Sequence, residues 1–135
     1  MRTAAIAILL LPAAAADIGK RYPSERRAIA DHRTGAMLTA ITTSPAGDDK
    51  IYQTHPQWTA GGRHIIFRSD RAGGRSQAFA YSEETGEIIQ LTDAPDTRTG
   101  TLNVSRRSDL LWFFRGRRLI ELRLDPLLAD SRSGS

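Results

Sequence analysis

Short apolar runs alternate with polar punctuation along most of this chain. Each run is four to seven residues long, and Gly, Asp, Ser or Pro separates it from the next. A sustained 3.6-residue periodicity is almost absent beyond residue 16, so the pattern predicts β-strands rather than helices. The predicted strands are Ala36–Thr42, Ile51–Thr54, His64–Ser69, Gln77–Ser82, Glu87–Thr92, Thr101–Val104, Leu110–Arg115 and Leu119–Leu124. We therefore expect an all-β fold.

Three of the connections have the composition of tight hairpin turns. They are Ala60–Arg63, Ala72–Arg75 and Glu84–Glu87, and each contains glycine, which accepts a positive φ without steric cost. Antiparallel pairing of the flanking strands follows. The run Leu110–Phe114 is continuously apolar, which is typical of a strand covered on both faces.

The first 16 residues have the pattern of a secretory signal peptide. Arg2 precedes an apolar run that ends at Leu11, and Pro12 and four alanines lead to Ala16. The pattern predicts cleavage after Ala16 and export to the periplasm or the medium. An ordinary buried N-terminal helix is the alternative. The run is too short for a membrane span, which needs about 20 residues.

Two stretches of the chain match each other after a shift of 46 positions. Trp58–Phe67 then lies over Val104–Phe113, with large apolar residues on apolar ones and Thr59 on Ser105. A period in the mid-forties with about four short strands in each unit is typical of a β-propeller blade. A chance similarity between two hairpins is the alternative.

The repeat length sets the expected architecture. The 119 residues after the predicted leader make about two and a half units of this period. We therefore expect two to three four-stranded antiparallel blades of an incomplete propeller. We assign residues 17–35 to an N-terminal arm, 36–126 to the blades and 127–135 to a polar, disordered tail.

Composition removes several classes of function. The chain has no cysteine, which excludes disulfide frameworks, thiolate nucleophiles and cysteine-ligated zinc. Its net charge is only +4, without the clustered basic face of a nucleic-acid-binding domain, so nucleic acid is not the expected partner.

The segment Pro56–Arg71 resembles the repeat of Tol-type periplasmic propellers, in which Pro-x-Trp-Ser-Pro-Asp-Gly-Arg precedes an apolar strand and Ser-Asp-Arg. Four further segments narrow the resemblance to the N-terminal part of oligogalacturonate lyases. They are Gly19–Ser24, Asp31–Gly35, Ile51–Pro56 and Thr85–Asp93.

The resemblance implies cleavage of acidic pectic oligosaccharides by β-elimination, with a manganese-like ion held by His and Gln side chains in later blades. None of the three histidines here maps onto that cluster, so we assign no catalytic residue and no metal ligand to this chain. We expect the chain alone to be inactive and to bind no manganese itself. A Tol-like periplasmic scaffold that binds other proteins without catalysis is the alternative.

Three residues are candidates for binding the acidic sugar. His55 lies at the start of a predicted inner strand, and inner strands line the channel where propeller ligands bind. Arg68 and Arg71 flank a Gly-rich hairpin, and guanidinium groups bind carboxylates well. The alternatives are a histidine that satisfies backbone groups and a blade-corner pair between Asp70 and Arg71. Open strand edges also predict self-association.

Overall fold

The computed structural model describes residues 17–129, which form ten β-strands and one short helix. The strands are β1 (Arg21–Tyr22), β2 (Arg27–Ala30), β3 (Met37–Ala40), β4 (Asp48–Lys50), β5 (His64–Ser69), β6 (Gln77–Ser82), β7 (Ile88–Gln90), β8 (Thr97–Val104), β9 (Leu110–Arg115) and β10 (Arg118–Arg123), followed by α1 (Asp125–Ala129). The prediction of an all-β fold is confirmed. The predicted leader, residues 1–16, lies outside the described residues.

The strands form two blades and a separate hairpin. Blade 1 has the strand order β1-β7-β6-β5-β4, and blade 2 has the order β10-β9-β8. The third sheet is the two-stranded hairpin β2-β3. Every strand pair among these sheets is antiparallel, as the turn residues predicted.

The 46-residue repeat is a repeat of structure. Trp58 pairs with Ile65 in blade 1, and Val104 pairs with Leu111 in blade 2, at positions that the shift superimposes. The next backbone hydrogen bond is repeated as well: Thr59 N donates to His64 O at 2.9 Å, and Ser105 N donates to Leu110 O at 3.0 Å. The similarity between the two stretches is therefore not a chance match.

The predicted hairpin turns are present, and four of their five glycines adopt the left-handed conformation. Gly62 has φ 67°, Gly73 has φ 71°, Gly74 has φ 75° and Gly86 has φ 78°. These values are in the region that side chains disfavour, which explains why glycine occupies these positions.

The main core lies between the two blades. Blade 1 contributes buried side chains from β5, β6 and β7, and blade 2 contributes buried side chains from β8 and β9. The members are Ile51, Ile66, Ala78, Ala80, Ile89, Leu91, Leu102, Val104, Leu111, Phe113, Leu124 and Leu128. A smaller cluster of Phe67, Phe79, Tyr81 and Ile88 occupies the other face of blade 1.

The predicted strand Ile51–Thr54 is wrong. The inner strand of blade 1 is β4, which ends at Lys50, and residues 51–56 leave the sheet before the chain returns at Gln57. Ile51 is still buried, because its side chain enters the main core. Local composition favours a strand there, but the long-range register with β5 places the strand three residues earlier.

The predicted arm and tail both contain ordered structure. β1 pairs with β7 at the outer edge of blade 1, and β2 begins within the predicted arm while its partner β3 lies beyond residue 36. At the other end, α1 covers residues 127–129, and Leu128 packs in the main core. Tyr22 of β1 packs against the smaller cluster of blade 1, and Leu127 and Leu128 of α1 pack against or within the main core.

The run Leu110–Phe114, whose composition is typical of a strand covered on both faces by neighbouring blades, is buried on one face. Leu111 and Phe113 are buried against blade 1, whereas Trp112 and Phe114 lie on the opposite, more exposed face. Phe114 is 37% exposed. Blade 2 is therefore covered on one face only among residues 17–129.

Candidate functional site

The inner strands of the two blades are interrupted at the same level. In blade 1, the pairing of Lys50 with Phe67 is followed by a hydrogen bond from Ile66 N to Gln57 O at 2.8 Å, so residues 51–56 form an excursion. In blade 2, the register with β9 shifts between Arg98 and Asn103, so residues 99–102 bulge out. We call these two segments the inner-strand bulges.

A hydrogen bond joins the two inner-strand bulges. His55 Nδ1 lies 3.1 Å from the carbonyl oxygen of Leu102. A carbonyl only accepts, so Nδ1 must carry the hydrogen and donate it. The other ring nitrogen, Nε2, then accepts a hydrogen bond from a ligand when the imidazole is neutral and donates one when it is protonated.

The side chain of Gln57 fixes the bulge of blade 1. Its Nε2 donates to the carbonyls of His55 at 3.0 Å and Tyr52 at 3.3 Å, and the turn is closed by His55 N donating to Tyr52 O at 2.9 Å. The Gln57 Oε1 atom is buried and has no hydrogen-bond partner among the described residues. Sequence reasoning missed this residue, although its position directly before the motif tryptophan marks it.

An exposed aromatic ring stands beside the histidine. The rings of Tyr52 and His55 have centroids 5.4 Å apart and are tilted by 59°, and Tyr52 is 58% exposed. An apolar ring face next to a hydrogen-bonding imidazole is suited to a sugar, which presents C–H groups and polar groups together.

Arg71 lies in a buried ion-pair cluster. Its side chain is only 5% exposed, and its Nη1 donates to Glu25 Oε1 at 2.7 Å, while Nη2 donates to both carboxylate oxygens of Asp48 at 2.9 Å. The Nε atom donates to Ser69 Oγ at 3.0 Å. Asp70, the partner expected from the blade motif, instead accepts a hydrogen bond from Gly47 N at 2.7 Å.

The cluster holds both of its carboxyl groups ionised. Burial alone would raise the pKa of Glu25, but hydrogen bonds from the backbone of Thr43 and Ser44 and from Arg71 outweigh it and lower this pKa. Burial likewise opposes ionisation of Asp48, and the hydrogen bonds led by that from Arg71 lower its pKa below the usual value. The guanidinium is thus already neutralised by two carboxylates.

Arg68 lies on a different part of blade 1. It forms an ion pair with Asp49 across β4 and β5, and its side chain is 35% exposed. The hydrogen bond from Arg68 lowers the pKa of Asp49. The structure does not bring the three predicted residues together, because His55 lies on the bulge, Arg68 in a surface pair and Arg71 in a buried cluster.

The described residues do not fit a manganese site. Among residues 17–129, no three His, Cys, Asp or Glu side chains come together in a group that could hold a metal ion. His32 lies in the turn between β2 and β3 and His64 begins β5, so neither lies on the inner-strand bulge that carries His55. We therefore derive no step through a metal.

A cavity of about 190 Å³ lies beside the turn that precedes β5 in blade 1. It is lined by residues of that turn, of β5, of the segment before β9 and of α1: Thr59, Gly61, Arg63, His64, Asp109, Asp125, Leu128 and Ala129. The hydrogen bond that Asp109 shares with Asp125 raises the pKa of Asp109, and burial and the charge of Asp125 add to that effect, while Arg63 opposes it.

No helix among residues 17–129 is long and apolar enough to cross a membrane.

Comparison with solved structures gives the class of fold. The chain superimposes on an oligogalacturonate lyase in complex with manganese, with a TM-score of 0.73 and 23% identity, over 82% of this chain and 29% of that one. An oligogalacturonate lyase from Vibrio parahaemolyticus gives the same TM-score at 19% identity, with the same coverage. Identities this low show a shared fold, and the class is that of propeller blades.

Comparison of the sequence with known proteins matches a shorter part of the chain. No family model matches the chain. A stretch of 42 residues is 45% identical to the uncharacterized peptidase YuxL of Bacillus subtilis (strain 168). This stretch makes up 31% of this chain and 6% of that protein. Forty-two residues is about the length of one propeller blade. The chain spans 29% of the length of each of these two lyases, and the matched stretch is 6% of the peptidase.

Proposed function

We propose that this chain supplies blades of an oligogalacturonate-lyase-like propeller and binds an acidic pectic oligosaccharide at the inner-strand bulges. The observation that carries the proposal is the pair formed by Tyr52 and His55, which stands on the interrupted inner strand with its rings 5.4 Å apart. The shared fold with two oligogalacturonate lyases supports the choice of ligand class.

The two side chains have complementary roles in the proposed complex. The exposed ring of Tyr52 packs against the C–H face of a galacturonate unit. His55 is oriented by the carbonyl of Leu102, so its Nε2 is available for a hydroxyl or, when the imidazole is protonated, for the uronate carboxylate. Gln57 holds the loop in this conformation, which lowers the entropy lost on binding.

We do not assign the elimination step to this chain. The reaction needs a base and a cation that neutralises the uronate carboxylate as charge develops on it. The three predicted sugar-binding residues lie apart, and the two arginines among them are paired with carboxylates. One related lyase is a manganese complex, but the described residues here do not form such a site. We further propose that the chain acts after export, in the periplasm or the medium.

Isothermal titration calorimetry with digalacturonate tests the proposal. We expect binding by the unmodified chain and at least about tenfold weaker binding, about 1.4 kcal/mol, for Tyr52→Ala and for His55→Ala. His32→Ala, in an exposed turn of the β2-β3 hairpin, is the matched control and should bind like the unmodified chain. Absence of binding, or equal affinity in all four proteins, would overturn the proposal.

The same samples test the assignment of catalysis. Incubation with digalacturonate and manganese should give no rise in the ultraviolet absorbance of unsaturated uronate. A rise would show that the chain performs elimination by itself and would contradict our assignment, while leaving the binding result intact.

A further inference from the structure

The positive charge of the chain is concentrated in blade 2. Residues 97–123, which form blade 2, include seven arginines and two acidic residues, whereas residues 48–90, the main part of blade 1, include five cationic and six acidic residues. The net charge is therefore +5 for blade 2 and −1 for this part of blade 1. Blade 2 is the part of the chain that is suited to an anionic partner.

Three of these arginines lie at one tight turn. Arg115 ends β9, Arg117 lies in the turn and Arg118 begins β10, and all three side chains are exposed. Arg115 and Arg118 are directly opposite each other in the antiparallel pairing of the two strands. Like charges in such a pair are destabilising, and an anion bound beside them removes the repulsion. We call residues 115–118 the arginine turn.

The opposed arginines lie on the face of blade 2 that packs against blade 1. Phe113 pairs with Ile120 in the same two strands, and both side chains pack in or against the main core. Residues two positions apart along a strand share a face of the sheet. Arg115 and Arg118 therefore continue the main-core face beyond the core, at the end of the blade.

The connection between the two blades holds the arginine turn in place. Arg115 Nε donates to Asp96 Oδ1 at 2.9 Å, and Gly116 N donates to the carbonyl oxygen of Asp96 at 2.9 Å. Among residues 17–129, neither Arg117 nor Arg118 forms an ion pair with a carboxylate. Both guanidinium groups are therefore available to the carboxylates of a ligand.

The arginine turn lies close to the inner-strand bulge of blade 2. Thr97 pairs with Arg115, and the bulge begins two positions further along β8, at Thr99. Leu102, whose carbonyl oxygen orients His55, is five positions beyond Thr97. At about 3.3 Å per residue, five positions along a strand span at most about 17 Å. A chain of several sugar units can therefore contact the bulge and the arginine turn together.

We propose that the arginine turn is a second binding site for acidic pectic chains, at which Arg117 and Arg118 bind uronate carboxylates beyond the units held at the inner-strand bulges. The choice of ligand rests on the proposed function. A galacturonate chain carries a carboxylate on each unit, so one chain supplies anions to both arginines. Affinity therefore increases with the length of the chain.

The aromatic side chain nearest to the arginine turn favours a polyuronate over a nucleic acid. Phe114 lies on the opposite face of β9, where the guanidinium carbon of Arg98 is 5.7 Å from the centre of its ring. It is therefore not placed to stack a base beside Arg115 and Arg118. Proteins that bind single-stranded nucleic acids combine basic groups with such stacking, which a uronate chain does not need.

Isothermal titration calorimetry with galacturonate chains of two lengths tests the proposal on the full chain. We expect the double variant Arg117→Gln, Arg118→Gln to bind a ten-unit chain about tenfold more weakly than the unmodified protein, because it loses two ion pairs. The affinity for digalacturonate should be the same in both proteins, because its two units are held at the inner-strand bulges. Equal affinity of both proteins for the ten-unit chain would overturn the proposal.

The chain offers a control with the same change in charge. Arg106 and Arg107 are also adjacent and exposed, but they lie in the turn between β8 and β9, at the other end of blade 2. The double variant Arg106→Gln, Arg107→Gln should bind the ten-unit chain like the unmodified protein. An equal loss of affinity in the two double variants would overturn the proposal, because net charge alone would then explain it.

Two further ligands test the chemical class of the partner. A fully methyl-esterified ten-unit chain has no carboxylates, so its affinity should not depend on Arg117 and Arg118. A single-stranded DNA of ten nucleotides should bind more weakly than the galacturonate chain. Tighter binding of the DNA that is lost in Arg117→Gln, Arg118→Gln would overturn the proposal and would indicate a nucleic acid as the partner.

Tyr52→Ala separates this proposal from the proposed function. We expect the two arginine substitutions to weaken binding of the ten-unit chain in Tyr52→Ala as well as in the unmodified protein. If the arginine substitutions weaken binding and Tyr52→Ala does not, the arginine turn stands and the site at the inner-strand bulges is wrong. The reverse result would overturn the arginine turn and leave the proposed function intact.

Discussion

Arg71 Nη2 lies 2.9 Å from both carboxylate oxygens of Asp48, within a cluster that is almost closed to solvent. Arg71→Met would leave the carboxylates of Asp48 and Glu25 without their cation. Removing one partner of a buried ion pair is costly, so we expect a loss of about 3 kcal/mol in the free energy of unfolding. Urea denaturation measures this loss.

Arg68→Met is the matched control for that change. Arg68 lies three positions earlier and also pairs with a carboxylate, but both side chains are partly exposed. Exposed pairs contribute little because water and salt screen them, so this variant should lose much less stability. Equal losses in the two variants would contradict the distinction between a buried cluster and a surface pair.

The same cluster predicts how stability depends on acid. The pKa values of Glu25 and Asp48 are lowered in the folded chain from ordinary values of 4.5 and 3.8. The stability that they contribute is therefore complete above those ordinary values and is lost as the pH falls through the lowered pKa values. In Arg71→Met the stability should depend less on pH in this acid range, because the cation that lowers both pKa values is gone. Melting temperatures of both proteins across the acid range measure the difference.

The pair formed by Asp109 and Asp125 predicts the opposite dependence of stability on pH. Their hydrogen bond raises the pKa of Asp109 above 3.8, so the stability that the pair contributes is present below that value and is lost as the pH rises through the raised pKa. Asp109→Asn keeps a hydrogen bond without the second charge. We expect a gain of about 0.5 kcal/mol at neutral pH and no gain in acid.

The control for Asp109→Asn is the same substitution at its partner Asp125. Asp125→Asn removes the same repulsion from the other side and should raise the melting temperature at neutral pH by a similar amount. A lower melting temperature at neutral pH in both variants would show that the two carboxyl groups do not share a proton.

Removal of the predicted leader would create a new ion pair. The backbone nitrogen of Asp17 donates to Asp93 Oδ2 at 2.6 Å. Cleavage after Ala16 would turn this nitrogen into an ammonium beside the carboxylate. We expect Asp93→Asn to destabilise a chain beginning at Asp17 by about 0.5–1 kcal/mol and the unprocessed chain by less. Melting of both forms, with N-terminal sequencing of the exported protein, checks this.

The strands that sequence reasoning predicted best are those with local signals at both ends. His64–Ser69, Gln77–Ser82 and Leu110–Arg115 have the predicted bounds, because glycine-rich turns or charged residues flank their apolar residues. The 46-residue repeat was predictable for the same reason, since equal register in two hairpins requires equal spacing of apolar residues.

The features that sequence reasoning missed depend on partners far away in the chain. β1 is only two residues long and is a strand because it pairs with β7 in the antiparallel sheet. Arg71 finds Glu25 and Asp48, which lie 46 and 23 positions earlier, rather than its neighbour Asp70. The bulge at residues 51–56 has a strand-like composition, and only the pairing of β4 with β5 shows that it leaves the sheet.

The candidate site was predicted in part. The position of His55 before a motif proline placed it near an inner strand, and the structure puts it on the bulge of that strand. Its partner Leu102 was not predictable, because that contact joins two blades and spans 47 positions. Tyr52 lies three positions before His55, and sequence reasoning did not single it out.

The most direct test of the central claim is a titration of the ¹⁵N-labelled chain with digalacturonate, followed by amide chemical shifts. Our account predicts shifts confined to residues 51–57 and 99–102, where the two inner-strand bulges meet. Shifts confined to the blade faces or to the Arg68 and Arg71 ion pairs, or no shifts at a large excess of ligand, would contradict it.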